Sequence, residues 1–546
     1  MKQQKQRVHL EIQTHRKNPR GLIRTSFRKD GKNMHETIST LTGLTMEQLV
    51  LIQAALQGNV VLKKDFVIKN SKEYGASYAF LLLAKDLGLD KMIYSRPSET
   101  WVQDSLAMII GKVIYAGSKL SLTRMATDSC LWNVCGIDDE KIDVNSHCYQ
   151  SMDRLFERQD AIQRKLAAKH LCDNSIILYD ITSSYLEGEY EESEIVTYGY
   201  NRDKKKGHEQ IVIGLICNRE GCPIAVEVFR GNTKDESTVE DKIMQIKDTF
   251  AVKNAIFVGD RGIITKTQFE RIQENETNYI KTISALTHAQ LAHLCEKDCV
   301  QMSMFDEHQI IQVIDPDNPQ IRYGLSKNPI RGQKDKATRE ILISKTEDAL
   351  GKIAALKRPS DDATTGIRVG KIINKYNVGK LLAVEIKDGK VSWERNKNKI
   401  REAEALDGLY VIYTDVKEEE MNISEIVKTY RKLIGVEQAF RNLKTVQLEI
   451  RPIYHKTDDR IRCHVFLCML AYYLMWNAKQ RLTPLFETDQ VGQNKKYTFE
   501  HIIERLKSIR KETVEIEGIS TKVITECDGE QQTILNHLNV KIKPYM

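Results

Sequence analysis

Proline is scarce in this chain, ten in 546 residues, and no low-complexity tract or fixed-period repeat interrupts it. Long disordered linkers and solenoid arrays are therefore not expected. No apolar run reaches membrane-spanning length. The longest, Val465 to Trp476 (VFLCMLAYYLMW), falls well short of the about 20 residues a helix needs to cross roughly 30 Å of hydrocarbon, and reads as a buried core helix. The first residues, MKQQKQRVHLEIQTHRK, carry no apolar signal segment, and the eleven cysteines are odd in number. A secreted disulfide scaffold is thus not expected, and a cytoplasmic protein without a membrane partner is. Cysteine pairs at 130/135, 217/222 and 463/468 lack the matching second pair that a zinc ribbon requires. His288, His293, Cys295 and Cys299 lie close together but read as coincident on a helix rather than as zinc ligands.

What is present is ordinary globular composition, 41% hydrophobic and 29% charged, over a length that calls for three or four domains at about 150 residues each. The net charge of +7 is modest, but its distribution is uneven. Residues 1–33 hold ten Lys or Arg against Glu11 and Asp30, and 367–402 hold another ten. Such stretches neutralise phosphates, although solvated basic surfaces look the same.

Changes of pattern divide the chain. Helical periodicity dominates 1–170 behind a basic arm. From 171 to 285 short β runs take over: SIILYDITSSYLE, EQIVIGLICN and PIAVEVFRGN, the last two joined by the turn Asn218-Arg219-Glu220-Gly221, then a helical segment and NAIFVGD. A β-rich stretch is expected over 286–405, where REILISK and GIRVGKI look like strands and Asp388-Gly389 marks a hairpin. The α/β pattern returns at 406–480, with one long helix over 423–446, and a polar tail follows over 481–546.

Two aspartates close apolar runs. Asp180 follows Ile176-Ile177-Leu178-Tyr179, and Asp260 follows Ala255-Ile256-Phe257-Val258-Gly259. Both sit at expected strand ends, where α/β sheets gather ligands, although Asp also starts ordinary turns. The long helix opens with a capping box, Asn422 and Glu425, and carries a stripe at Ile426, Tyr430, Leu433, Glu437, Phe440 and Lys444. Glu437 and Lys444 fall where the spacing calls for apolar residues. Burying a lone charge costs several kcal/mol, so each needs a partner, a metal for the acid and a phosphate for the lysine; the plain alternative is a half-exposed face.

These residues resemble a known family. YDITSSYLE, YGYNRDKKKGHEQIVIGL, PIAVEVFRGNTKDEST, VGDRG and YRKLIGVEQAFRNLK are similar to bacterial insertion-sequence DDE transposases of the branch with a β-strand insertion between the second Asp and the Glu. That branch's signature is Tyr, two residues, Arg, three residues, Glu, six residues, Lys. Tyr430, Glu437 and Lys444 match it; Leu433 stands where Arg is expected, with Arg431 and Arg441 as nearby substitutes.

The resemblance implies an α/β ribonuclease H-like catalytic core, interrupted by a β-rich insertion domain and preceded by a helical DNA-binding region. It implies Asp180, Asp260 and Glu437 as catalytic acids holding two Mg²⁺ ions, with Mn²⁺ as a substitute. The partners it implies are double-stranded DNA, both terminal inverted repeats and target, bound by a homodimer in a bacterial, nucleoid-associated setting. Tyr430, Arg441, Lys444, Arg202, Lys204 and Lys205 are DNA-contact candidates, and Trp393 is the candidate to hold a flipped base during a DNA-hairpin step. Two other readings stay open, a nuclease of the same fold that cuts without joining, and an inactive DNA-binding relative.

Overall fold

The computed structural model describes all residues except 1–6, 15–18, 30–31, 58–66, 201, 203–204, 206, 261, 266–267, 269–271, 273–279, 287–309, 316–317, 357–359, 447, 452, 487–496, 517–518 and 544–546. The His288–Cys299 cluster and Lys204 lie outside the described residues. Chain contacts divide the protein into two units, 1–75 with 505–532 and 541–546, and 76–504 with 533–540.

The smaller unit corrects two expectations. The basic arm is not a prelude to helices: Arg7–Gln13, Arg20–Lys29 and Lys32–Leu41 form an antiparallel three-stranded sheet. The 481–546 stretch is not a plain tail either, because Arg510–Ile516 and Ile519–Ile524 form a second three-stranded sheet with Val67–Glu73. Alternation was hidden here by charged residues on the open faces, which sheets with one solvated side tolerate.

In the larger unit helices dominate 76–170, as expected, and a mixed sheet follows. Its strands are β1 (Ser175–Tyr185), β2 (Gln210–Asn218), β3 (Pro223–Arg230), β4 (Ala255–Gly259), β5 (Ile280–Ala285), β6 (Ile311–Asp315), β7 (Asn318–Lys327) and, after a hairpin of β8 (Leu382–Lys387) and β9 (Lys390–Arg395), β10 (Leu409–Thr414). The sheet order is β6-β7-β10-β5-β4-β1-β2-β3. β1, β4 and β5 run parallel and the other pairings are antiparallel. The β2–β3 turn forms as the sequence implies: Asn218 Oδ1 accepts from the amide of Cys222 at 2.9 Å, and Gly221 takes φ +82°. A helical crossover, Val239–Met244 with flanking turns, returns the chain to β4 beside β1.

Helices shield this sheet. Asp458–Arg481 contains the apolar run 465–476 and packs on β3 and on Thr100–Tyr115, with Phe466, Leu470 and Leu474 fully buried. Each such side chain contributes about 1.5–3 kcal/mol of transfer free energy. Among the described residues no single helix is long and apolar enough to cross a membrane.

The stretch expected to be β-rich divides differently. β6 and β7 extend the main sheet, and between β7 and β10 three helices, Pro329–Ala354, Asp362–Tyr376 and Lys397–Ala405, surround the β8–β9 hairpin. REILISK and GIRVGKI are helical. Arg339, Ile343, Thr346 and Leu350 are the buried residues of the first helix, a spacing of four, three and four. Asn328 caps it by accepting from the Arg331 amide at 3.1 Å, with Pro329 at its first position. Ile343, Leu350, Val369, Val378, Leu382 and Val391 make a core belonging to this segment alone.

Candidate active site

β1 and β4 pair in parallel through Tyr179 and Gly259, their last matched positions. Asp180 and Asp260 are the next residue on each strand, so the pairing places them side by side. Asp180 is not at a strand end, as its sequence context implied. It lies inside an eleven-residue strand and pairs with Leu215 of β2. Asp260 does terminate β4; its carbonyl accepts from the amides of Ile263 and Ile264 at 2.9 and 3.1 Å, turning the chain away and leaving the carboxylate exposed.

Neighbouring side chains hold β1 in place. The Tyr179 hydroxyl donates to Thr238 Oγ1 at 2.9 Å from a fully buried position, and the ring lies over Gly214 of β2. Any Cβ at 214 would meet that hydroxyl at 2.6 Å, so glycine is required by close approach.

Glu437 arrives on a helix, but not as a buried stripe residue. The long helix breaks at Lys432 into Ile423–Arg431 and Leu433–Arg441, and continues as a π-helical turn over Asn442–Val446. Beyond the break the buried line runs Leu433, Val436, Ala439, Phe440 and Leu443. Glu437 is exposed and Lys444 half-buried, which corrects the periodicity argument; Arg441 is exposed. The capping box forms as expected, with Glu425 N donating to Asn422 Oδ1 at 3.0 Å. The second helix packs directly on β1.

Electrostatics ties the three acids together. Desolvation pushes the Asp180 carboxyl up to about 7, and the charges of Asp260 and Glu437 act in the same direction. The Ile181 amide, donating to Asp180 Oδ1 at 2.8 Å, and the Arg202 guanidinium oppose the rise. Among the described residues no three His, Cys, Asp or Glu side chains converge closely enough to form a ready metal cage. The acids share a field rather than a finished coordination sphere.

Tyr430 is buried and donates to Asp260 Oδ1 at 3.0 Å. Its ring meets Tyr410 edge-on, with centroids 5.5 Å apart. Burial, then Tyr410 and Asp260, raise its pKa far above the ordinary phenol range, so it stays a donor.

Residues 172–474 match the family described as Transposase DDE domain, more than half of the chain. The chain belongs to the DDE transposase family. No curated protein matches it. The matched segment of the transposase contains all three acids and Tyr430, and membership implies an enzyme that acts on DNA.

The remaining sequence candidates divide into two places. Arg202 belongs to the site: its amide donates to Ser183 Oγ at 3.0 Å and its guanidinium pairs with Asp235. Lys205 lies beside the end of β1, 4.0 Å from the centroid of Tyr185 and 3.5 Å from Glu187. Trp393 is in the segment between β7 and β10, opposite Val384 in the hairpin and packed on that segment's own core. Sequence reasoning missed Tyr410 and Asp235. Asp235 stands inside the quoted stretch PIAVEVFRGNTKDEST, whereas no signal marked Tyr410, which becomes a neighbour only through the sheet.

Proposed function

We propose that this transposase cleaves DNA at its element's terminal repeats and joins the released ends to target DNA, using Asp180, Asp260 and Glu437 on a ribonuclease H-like core. The observation that carries the reading is the adjacent register of Asp180 and Asp260, with Glu437 close enough to raise the Asp180 carboxyl. The strand order β3-β2-β1-β4-β5, with only β2 running against the other four, supports the core assignment.

The donor set suits a divalent cation, Mg²⁺ or Mn²⁺, because three carboxylates that repel one another offer hard oxygen ligands. When bound, such ions polarise the phosphoryl oxygens and stabilise the attacking and leaving oxygens of an in-line displacement. The chain's own part is positioning. The β1–β4 register fixes the two aspartates, Tyr430 orients Asp260 through its hydroxyl, and Arg202, held by Asp235, supplies positive charge beside Asp180. Glu437, exposed on a helix packed against β1, reaches the pair by side-chain rotation. Arg441 and Lys444, on that helix and its π-helical extension, are the residues offered to substrate phosphates in this reading.

The segment between β7 and β10 is the insertion domain in this reading. If the ends are resolved through a DNA hairpin, Trp393 is the aromatic residue offered to the flipped base. Homodimerisation on the terminal repeats completes the proposal.

Incubation with DNA bearing the native terminal repeats and Mg²⁺ or Mn²⁺ tests it. Cleavage with joining supports transposition; cleavage without joining identifies a nuclease, and neither identifies an inactive DNA-binding relative.

A further inference from the structure

A second cationic site lies outside the acid trio. A cavity of about 460 Å³ is lined by Lys112, Lys119, Glu449, Arg451, His455 and His464, among others. Lys112 and Lys119 are only 6% and 8% exposed. Lys112 Nζ donates to the carbonyls of Ala116 and Glu449 at 2.9 and 3.0 Å. Glu449 takes φ +40°, an unusual conformation for a non-glycine residue, which turns its carbonyl toward the ammonium.

Lys119 Nζ contacts His464 Nδ1. His464 Nε2 lies 2.9 Å from the Ile450 carbonyl, which can only accept, so Nε2 carries the hydrogen and Nδ1 is the acceptor for Lys119. Both imidazoles are neutral, since burial holds His464 well below the usual histidine range and His455 near 3. Lys119, lowered by burial to about 8, stays charged at neutral pH. Among the described residues neither lysine forms a salt bridge, so two buried ammonium groups are met by carbonyls and an imidazole. The Glu449 carboxylate offsets part of the Lys112 charge from an exposed position, and the remaining buried positive charge is costly unless an anion binds.

Arg451 joins the cavity to the end of β1. The Arg451 guanidinium lies 4.6 Å from the centroid of Tyr185, the last residue of β1, and Lys205 lies 4.0 Å from the same ring.

We infer that this cavity holds one phosphate group, supplied by the backbone of the substrate DNA. The inference rests on the DNA-acting reading above, and adds to it a phosphate subsite contributed by Lys112 and Lys119 of the helical region and by Arg451. The same chemistry would take free inorganic phosphate, so the test separates the two sources.

The salt dependence of the full-length protein's affinity for a short mixed-sequence duplex is measured for wild type, Lys119→Met and Arg451→Gln. Melting of each protein is followed in parallel with orthophosphate against chloride at matched ionic strength. The expected result is a slope of log K against log salt shallower by about 0.9 in each variant, the change that follows when one phosphate is no longer neutralised. Arg451→Gln, at a half-buried position, keeps the test open if Lys119→Met fails to fold. Unchanged slopes with no melting response to orthophosphate overturn the inference. Unchanged slopes with an orthophosphate-induced melting rise that the variants lose assign the cavity to a free anion and overturn the DNA source. Absence of DNA binding by wild type sinks the DNA-acting reading itself and this subsite with it.

Discussion

The hydroxyl of Tyr430 donates to Oδ1 of Asp260 at 3.0 Å, joining a buried helix residue to an exposed carboxylate at the end of β4. One Asp260 oxygen is thereby oriented. A hydrogen bond to a charged group contributes about 1.5–3 kcal/mol, so Tyr430→Phe is expected to slow strand cleavage by roughly 10- to 100-fold. Binding of terminal-repeat DNA should change little. Single-turnover cleavage beside an equilibrium binding titration checks this; unchanged cleavage would remove the orienting role.

Gly214 faces the Tyr179 hydroxyl with no room for a Cβ. Gly214→Ala forces the ring or the strand to move, an overpacking change of about 1–3 kcal/mol. Urea unfolding should show that loss, and full stability would mean the sheet adjusts at no cost.

The two buried histidines set a pH dependence. Their folded pKa values are depressed, so the stability they contribute is complete above the unfolded value of about 6.5 and is lost as pH falls toward about 3 for His455. Asp180 works the other way: its raised pKa gives stability below about 4 that disappears as pH rises through about 7. A mutant comparison therefore isolates the histidine part. Between pH 6.5 and 5, wild type should lose stability more steeply than His464→Gln. Equal slopes would mean His464 titrates normally.

Trp393 packs on the core of the segment between β7 and β10. Trp393→Ala is expected to destabilise that segment by about 3–5 kcal/mol, the range for deleting a large core ring, reduced by its partial exposure. Trp393→Phe keeps an aromatic face and should retain most of the stability. If Trp393→Phe also retains hairpin formation while Trp393→Ala loses it, the base-stacking role stands; an unchanged hairpin yield in both variants removes it.

Much of the sheet was legible because its strands are buried on both faces and read as apolar runs, as in QIVIGLICN. The Asn218–Gly221 turn, the Asp388-Gly389 hairpin and the Asn422/Glu425 capping box also form as their residues imply. The register that makes Asp180 and Asp260 neighbours could not be read, since it depends on where a crossover returns β4 beside β1. REILISK misled because its isoleucines invite a strand reading, while the deciding signals, Asn328-Pro329 and the buried spacing through Leu350, lie on either side. Glu437 was selected for a partly wrong reason. A stripe through Glu437 requires an unbroken helix, and the break at Lys432 rotates Glu437 to the surface. Its nearness to Asp180, not burial, keeps it in the site.

The central claim is that Asp180, Asp260 and Glu437 form one metal-dependent phosphoryl-transfer site. Single-turnover cleavage of terminal-repeat DNA in Mg²⁺ or Mn²⁺, wild type against Asp260→Ala, tests it most directly. Loss of a ligand carboxylate removes several kcal/mol of transition-state stabilisation, so the variant should cleave slower by on the order of a thousandfold while still binding the DNA. Cleavage by Asp260→Ala at the wild-type rate would contradict the account.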